Sequence, residues 1–501
     1  MTAPIRFPRW GLAIVMLAAA AWAIDLWRPF DGRTRNSWRE ADDAAIARNF
    51  YREGMNILYP RIDWRGNGPG YAEMEFPILS WTMAAGYSVV GVRPELGRVI
   101  AYVASIVGLV AFLSLAAGLL PPVGVAAAGV FFALSPLVTR VANALQPEPI
   151  MMACLLVATF AFVRWVETDE WWAYGLAMLA TALAVLAKSP AAHIGIAFTT
   201  WLLLRRGTGA LRDARIWIFA IGALAPAALW YRHAYDLWLH YGNSLGVSNE
   251  AHWIGPDILA HPKYFAQLLS VELRYVWVWL AVPVALYGII VDRRSPVVQW
   301  ALCWLGAVAL YYVLAIRTTS QDWAAYYHVA TVPVAALLFG AGVAAVATRP
   351  LGAPVTLAVV ALALATYAQE ARRIWADRHP NAFAFLYADA MAFAPLLPPH
   401  DLVLVSGGMC TDALGHPLAV NASYMFYWTD HKGFNICRDR QSMSAVDSIA
   451  RLGATFYIAE KDALRQAPGA EAALRQRYRV AADGAWAILF DLRNPVTLHT
   501  P

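Results

Sequence analysis

Acidic side chains cluster in a polar segment, residues 28–75, that follows the first apolar stretch of the chain. The segment contains the adjacent pair Asp42-Asp43 and ends at Glu75, just before Phe76-Pro77. It holds eight arginines and eight acidic residues, so it is not a simple basic patch for phospholipid. A carboxylate pair beside apolar sequence can act as a general base or bind a divalent cation. We therefore expect chemistry on a lipid-linked substrate.

The aspartate pair also has a purely structural explanation. Ser37-x-x-Glu40 is a capping box that predicts a helix over residues 37–53, which a glycine ends. Asp42 and Asp43 fall in the first turns of this helix. Acidic residues there complement the helix dipole and contribute at most about 1 kcal/mol.

Two further acids stand where the chain enters apolar sequence. Glu75 precedes a short apolar segment, and Glu148 lies between two prolines just before a longer one. An ionisable side chain so close to hydrocarbon is costly, which favours a functional role. Asp43, Glu75 and Glu148 could together hold a divalent cation, or one acid could serve as a base of raised pKa.

Cationic and aromatic residues are the candidates for binding the substrate. Lys188 stands in a Lys-Ser-Pro turn between two apolar stretches, where it either extends to the surface or binds a phosphate. His233 begins a long polar loop, and Arg317, Tyr327 and His328 flank a late apolar stretch. For tyrosine and histidine, a place in an interfacial aromatic belt is the simpler explanation.

The remainder of the sequence indicates a polytopic α-helical membrane protein. Hydrophobic residues make up 59% of the chain and charged residues 15%, whereas soluble domains carry about 25% charged residues. No basic stripe or motif for nucleic acid is present. Segment 76–92 is short and contains proline and glycine, so we expect an interfacial helix there. About eleven transmembrane helices are predicted, near residues 10–27, 97–119, 122–140, 149–166, 171–187, 190–204, 215–232, 271–291, 297–316, 324–346 and 351–368.

Arginine placement predicts the orientation of these spans. With residue 10 inside the cell and the first span uncleaved, the loop arginines fall on the cytoplasmic side, as the positive-inside rule requires. They are Arg205, Arg206, Arg212, Arg215, Arg293, Arg294 and Arg349. Segment 28–96, loop 233–270 and everything after about residue 370 then lie on the outer face.

The C-terminal part of the chain differs in composition from the spans. We divide the chain into a membrane domain, 1–370, whose first outer loop 28–96 carries the acids, and a small extracytoplasmic α/β domain, 371–501. Cys410 and Cys437 lie in the second domain and either form a disulfide or remain thiols. Strands are predicted over residues 401–405, 455–459 and 486–490, and helices near 444–452 and 461–476.

In their order and sidedness, these features resemble the GT-C superfamily of membrane glycosyltransferases. The likeness is closest to the protein O-mannosyltransferases and the lipid A aminoarabinose transferases, and it covers about residues 10–330. The shared order is an acidic pair at the start of a helix, Glu75-x-Pro-x-Leu, an arginine entering the second span (Arg98), an acid before the fourth span, and the lysine turn at Lys188. Where the family motif has a lysine after the glutamate, this chain has Phe76.

The resemblance implies an inverting glycosyltransferase, specific for a hexose or a pentose, that uses a polyprenyl-phosphate-linked sugar. It assigns the role of catalytic base to Asp42, the second position of the pair to Asp43, and the acid of the second outer loop to Glu148. The residues expected to bind substrate are Glu75, Arg98, Lys188, His233, Arg317, Tyr327 and His328.

The resemblance also implies the cofactors, partners and location. The acceptor would be lipid A, a cell-surface glycan or a protein, and no nucleotide cofactor is expected. A divalent metal ion at Asp43, Glu75 and Glu148 stays open. The enzyme would lie in the bacterial inner membrane, with its active site and C-terminal domain on the extracytoplasmic face.

Three other functions compete with this interpretation. A transporter or lipid flippase tends to place ionisable residues in mid-span and often contains inverted repeats, whereas here the polar residues gather on one face. An O-antigen ligase or polymerase also handles polyprenyl-linked sugars, and the histidine-rich loop 233–270 keeps it as an alternative. The third is a non-catalytic assembly protein that acts through its C-terminal domain.

Overall fold

The computed structural model describes residues 7–24, 26–33, 37–248, 253–349, 382–411, 415 and 423–495, with short pieces between 353 and 372. The predicted span 351–368 lies largely outside the described residues. The chain divides into two compact units. The helical unit comprises Met1–Trp27, Arg98–Trp230 and His252–Asp377, and the mixed unit comprises Arg28–Gly97, Tyr231–Ala251 and Arg378–Pro501.

Segment 28–97 therefore groups with the C-terminal residues rather than with the spans that flank it in sequence. Compactness alone does not establish independent folding, so the division into domains at residue 370 stays a prediction.

Helices dominate the chain before the C-terminal residues. The α-helices are α1 Gly11–Trp22, α2 Ser37–Glu53, α3 Ile78–Val90, α4 Glu95–Leu119, α5 Pro122–Leu134, α6 Pro136–Val141, α7 Glu148–Thr168, α8 Trp171–Ala187, α9 Ile194–Arg206, α10 Ala214–Tyr241, α11 Pro256–Leu259, α12 Lys263–Val271, α13 Val278–Val291, α14 Pro296–Leu314, α15 Ile316–Thr319 and α16 Val332–Ala347. Between them lie 3₁₀ segments at Ser189–His193, Thr208–Arg212 and Asp322–Thr331, and a π-helical segment at Glu272–Trp277.

Each predicted span from 10–27 to 324–346 falls on one or two of these helices. Among the described residues, five helices are long and apolar enough to cross a membrane, or six if the bent pair Lys263–Trp277 and Ala281–Val291 is one span. The expected interfacial helix is the 13-residue α3. The total of eleven spans stays a prediction.

Several predicted spans are not single regular helices, and two of them contain proline at or near the irregularity. The span expected over 122–140 is interrupted between α5 and α6, where Pro136 occupies the first turn of α6. Proline lacks the backbone N–H that would continue the first helix, and its ring disfavours helical geometry in the residue before it. The span expected over 271–291 begins as the π-helical segment and contains Pro283 within α13.

Small residues let the helices of the helical unit approach closely. Helix α16 packs against α5 and α13. A methyl group added at Gly124 on α5 would lie 2.9 Å from the backbone oxygen of Gly340 on α16. A side chain there would force the helices apart, so glycine at this contact is what permits the close packing that membrane helices use.

The mixed unit contains a five-stranded sheet. Its strands are β1 Leu402–Ser406, β2 Lys432–Ile436, β3 Ala454–Glu460, β4 Arg479–Asp483 and β5 Ala487–Asp491. The order is β2-β1-β3-β5-β4, with β1 parallel to both neighbours and β5 antiparallel to β3 and β4. The strand-like runs predicted from the sequence fall in β1, β3 and β5.

Helices cover both faces of the sheet. Alternate residues of β1, such as Val403 and Val405, pack with Ala41 of α2 and with the helices Ala382–Phe393 and Ser423–Thr429. The intervening residues, such as Leu404, pack on the opposite side with Val446 and Leu474. The period of two in strand side chains thus places α2 and the helix Ser423–Thr429 on the same side of the sheet.

The helix predicted near 444–452 is Met443–Arg451. The single helix predicted over 461–476 is wrong, because the chain forms two, Lys461–Arg465 and Ala470–Arg477. Gly469 between them has φ +80°, a left-handed conformation that glycine adopts readily and that a continuous right-handed helix excludes.

Cys410 and Cys437 form a disulfide, with their Cα atoms 5.5 Å apart, while Cys154 and Cys303 are free. Closing a loop of this length stabilises a fold by about 3 kcal/mol.

We expect denatured protein to add alkyl groups at two cysteines before reduction and at four after it. Mass spectrometry of peptides checks this, with Cys154 and Cys303 as internal controls, and alkylation of Cys410 without reductant would contradict it.

Candidate functional site

Helix α2 places its polar residues on distinct faces. Arg39, Asp43, Ile46 and Phe50 recur at helical spacing and share one face, and all four are buried. Ile46 and Phe50 pack with apolar residues of the mixed unit that include Met74. This apolar contact brings Arg39 and Asp43 against the residues that follow Met74.

The contacts of Arg39 and Asp43 tie α2 to the segment from Glu75 to Ser80. Arg39 donates from Nη2 to Oε2 of Glu75 at 3.0 Å, and both side chains are largely buried. Ser80 Oγ donates to Oδ1 of Asp43 at 3.1 Å. Two of the predicted residues, Asp43 and Glu75, thus share one interface. The cation beside Glu75 comes from α2, since position 76 is phenylalanine.

Asp42 has a different neighbour from Asp43. Its carboxylate oxygen Oδ1 accepts a hydrogen bond from the hydroxyl of Ser423, which opens the helix Ser423–Thr429. Asp42 is 1% exposed, and its Oδ2 has no hydrogen-bond partner within the part of the chain that the structure describes.

The burial of Asp42 raises the pKa of its carboxyl to about 7. Loss of hydration penalises the charged form and is the main cause. The hydrogen bond from Ser423 and the charge of Arg39 oppose the rise, whereas the negative charges of Asp43 and Glu75 add to it. A carboxylate of this kind can accept a proton near neutral pH.

Two buried glutamates of the mixed unit were not identified as site residues from the sequence. Glu40, treated only as part of a capping box, is 2% exposed in the first turn of α2. Glu73 is 1% exposed and accepts hydrogen bonds from the hydroxyls of Ser244 and Ser248. Glu73 therefore holds the segment that follows α10, which lies within the loop that the sequence placed over 233–270. Its only sequence signal was an acid two positions before Glu75.

The expectation that His233 begins a loop is wrong, because helix α10 continues to Tyr241 and His233 lies within it, in the mixed unit. Its Nε2 lies 2.8 Å from the backbone oxygen of Leu58, and its ring meets Tyr59 edge-on at 5.3 Å. These contacts explain the position of the histidine, and substrate binding by it stays a prediction.

In the helical unit, Glu148 and Lys188 form a buried ion pair. Glu148 occupies the first turn of α7, where the positive end of the helix dipole favours a carboxylate. Lys188 follows the last residue of α8 and is 2% exposed, so it does not extend to the surface. Its ammonium also lies 4.1 Å from the ring centroid of Tyr327 and 4.9 Å from that of Tyr326, within the range of cation–π attraction.

The turn after Lys188 is held by hydrogen bonds. Nδ1 of His193 lies 2.7 Å from the backbone oxygen of Pro190, and its Nε2 accepts from the indole of Trp304 at 3.2 Å. His193 therefore joins the lysine turn to α14. Sequence reasoning did not single it out.

The other predicted residues of the helical unit are also engaged. Arg317 donates to Oδ1 of Asp257 at 2.7 Å and to the backbone oxygen of Trp253 at 3.0 Å. The ring nitrogens of His328 lie 2.6 Å from Oε1 of Glu272 and 2.7 Å from the backbone oxygen of Thr319. Arg98 is buried in the first turn of α4.

The predicted site residues thus fall into two groups, each in its own unit. Those of the mixed unit are Asp42, Asp43, Glu75 and His233, and those of the helical unit are Arg98, Glu148, Lys188, Arg317, Tyr327 and His328.

Known proteins share this architecture. The family model described as dolichyl-phosphate-mannose-protein mannosyltransferase matches residues 74–231. The structure of ArnT from Cupriavidus metallidurans bound to undecaprenyl phosphate is similar at a TM-score of 0.60 and 13% identity, over 96% of this chain and 98% of that one. The resemblance to the GT-C glycosyltransferases is confirmed.

Two other structures carry the same GT-C fold. The oligosaccharyltransferase of Archaeoglobus fulgidus in its apo form matches at a TM-score of 0.57 and 12% identity, over 90% of this chain and 69% of that one. The arabinofuranosyltransferase AftD from Mycobacteria matches at 0.52 and 14% identity, over 97% of this chain and 41% of that one. No curated protein matches the sequence.

The predicted cation site can be compared with the charges around its three carboxylates. The Lys188 ammonium already neutralises Glu148, and the Arg39 guanidinium neutralises Glu75. Asp43 is engaged by Ser80. These contacts give no reason to assign a cation to Asp43 or Glu75, and the metal site stays a prediction.

Replacing Asp42 by asparagine should stabilise the protein at alkaline pH. The pKa of Asp42 is raised on folding, so the folded state retains a proton that the unfolded state loses between about pH 4 and pH 7. Stability is therefore lost as the pH rises through this window, with an upper limit of about 4 kcal/mol. Asp42→Asn removes this loss, so its melting temperature in detergent, relative to wild type, should be higher at pH 8 than at pH 5.

The matched control is Asp462→Asn, which changes an acid on the surface of the mixed unit. Its melting temperature relative to wild type should not depend on pH in this way. An Asp42→Asn variant with the same relative stability at both pH values would contradict the raised pKa.

Proposed function

We propose that the protein is an inverting glycosyltransferase that moves a sugar from a polyprenyl-phosphate donor to an extracytoplasmic acceptor hydroxyl. The observation that carries the proposal is the state of Asp42, whose buried carboxyl has a pKa of about 7 and one oxygen held by Ser423. A general base requires a pKa near the working pH.

In the proposed reaction, Asp42 takes the proton of the acceptor hydroxyl. The acceptor oxygen forms a bond to the anomeric carbon of the sugar, and the bond from that carbon to the phosphate oxygen breaks. The electron pair of the broken bond leaves with the lipid phosphate. Attack from the face opposite the phosphate inverts the configuration at the anomeric carbon.

Lys188 is the group best suited to stabilise the departing phosphate. Its ammonium is buried between Glu148 and two tyrosine rings, so it is held in place without being hydrated as a surface lysine would be. A preorganised cation in such surroundings stabilises developing negative charge more strongly than one in water. Arg317 is the second candidate, and its guanidinium is held by Asp257 and by the backbone oxygen of Trp253.

The likeness to ArnT supports a lipid-linked donor, because that protein binds undecaprenyl phosphate. The apolar helices of this chain support a multi-pass membrane location. Within the proposal, the membrane is the bacterial inner membrane, the helices make eleven crossings, and the sheet-containing C-terminal part lies outside the cytoplasm. The acceptor is lipid A, a cell-surface glycan or a protein.

Asp42→Asn should abolish sugar transfer, because the amide cannot accept the acceptor's proton. The assay offers purified protein a panel of radiolabelled polyprenyl-phosphate hexoses and pentoses, with membrane extract as acceptor. We expect wild type to form a labelled product and the variant to lose activity at least 100-fold, within the range that general-base catalysis contributes. Asp462→Asn serves as the control and should match wild type. Full turnover by Asp42→Asn would place the base elsewhere.

Lys188→Met should lower kcat/KM for the donor about 100-fold, the order of loss seen when one charge-stabilising donor is removed. Methionine keeps the apolar stem but not the charge. Because this leaves Glu148 buried without its cation, Lys188→Met combined with Glu148→Gln is the companion variant and should show the same loss. Lys461→Met, at a surface ion pair, is the control. Unchanged donor kinetics in the folded double variant would exclude Lys188 from phosphate stabilisation.

A further inference from the structure

We propose that the C-terminal part of the chain completes the catalytic apparatus by supplying Ser423 as a positioning residue for Asp42. This inference rests on the proposed function, in which Asp42 is the base. The family model, which matches residues 74–231, contains neither Asp42 nor Ser423.

The contact itself is deeply buried. The hydroxyl of Ser423 donates to Oδ1 of Asp42 across 381 positions of sequence. Ser423 is 0% exposed and Asp42 1%, so water does not compete for the bond. A hydrogen bond to one carboxylate oxygen fixes the rotation of the group and leaves Oδ2 to receive a proton.

The helix that carries Ser423 is docked on α2 by a second set of contacts. One to two turns further along α2, Arg48 donates to the backbone oxygen of Tyr427 at 2.9 Å and lies 4.7 Å from the ring centroid of the same tyrosine. Arg48 also pairs with Asp430 at 2.7 Å and with Asp63 at 2.6 Å. The two helices are therefore held together at both ends of their contact.

The same helix is anchored to the sheet behind it. The hydroxyl of Tyr424 donates to the carboxylate of Glu460, the last residue of β3, and Arg438 pairs with the same carboxylate. The backbone N–H of Glu460 donates to the Ser406 hydroxyl at the end of β1, at 2.6 Å. Ser423 precedes Tyr424 directly, so contacts at the C-terminal ends of the interior strands β1 and β3 restrain its position.

These contacts form a continuous path from the sheet to the base. A catalytic group must be held within about 0.5 Å and 10–20° of its productive geometry, and the residues that hold it must be locked themselves. Ser423 meets that condition through Tyr424 on one side and Arg48 on the other. Without the Ser423 hydroxyl, the carboxylate of Asp42 would lose its fixed orientation, while the contacts of Tyr424 and Arg48 would still hold the two helices together.

The test compares variants that differ at one hydroxyl. Ser423→Ala and Ser423→Val remove it, and Ser423→Thr keeps it, with valine and threonine nearly identical in shape. Thr429→Val is the control, because Thr429 lies on the same helix and its hydroxyl donates to the backbone oxygen of Met425 within that helix. For each variant, kcat, KM for donor and acceptor, and melting temperature are measured in the transfer assay.

We expect Ser423→Ala and Ser423→Val to lower kcat 10- to 100-fold with both KM values within about twofold of wild type. Ser423→Thr should recover most of kcat, and Thr429→Val should match wild type. In the Asp42→Asn background, Ser423→Ala should cause no further loss of residual activity, because residues that act as a unit are not additive.

The outcomes separate this inference from the proposed function. Wild-type kcat in Ser423→Val, with Asp42→Asn inactive, would overturn the positioning role and leave the function standing. A loss that follows melting temperature and appears equally in Thr429→Val would also overturn it. Failure of wild type to transfer any sugar would overturn the function first, and the inference with it.

Discussion

The cost of burying charge is the constraint on which the functional parts of this structure depend. Helix α2 carries Arg39, Glu40, Asp42, Asp43 and Arg48, all at most 6% exposed. A buried ion is unfavourable by several kcal/mol unless partners compensate it. The partners of these α2 side chains come from distant parts of the sequence. They are Glu75 and Ser80 in one segment, and Ser423 and Asp430 in another. The buried polar residues of α2 therefore hold both segments of the mixed unit against this helix.

Asp42 is only partly compensated by its neighbours. Its neighbours supply one hydrogen bond and one positive charge, but also two negative charges. The resulting pKa of about 7 costs stability at neutral pH, and such a cost is typical of groups retained for chemistry. Asp43, one residue along, faces Ser80 instead, because 100° of helix rotation separates adjacent side chains.

In the helical unit, a buried glutamate and a buried lysine compensate each other's charge directly. Glu148 and Lys188 neutralise each other at the ends of α7 and α8, and the tyrosine rings complete the surroundings of the ammonium. A cation–π contact needs no counter-charge, so the tyrosine rings lower the cost of burying the ammonium further.

The sequence by itself determined the apolar helices, the bounds of α2, the strands β1, β3 and β5, and the resemblance to GT-C enzymes, because these depend on periodicity, caps and local order. It did not reveal the break at Pro136, the roles of Glu40 and Glu73, or the neighbours of Asp42 and Asp43. Only the tertiary structure decided that Ser423 meets Asp42, since nothing local links residues 381 positions apart. The state of a carboxyl depends on its burial and its partners in space, and neither is a property of its position in the chain.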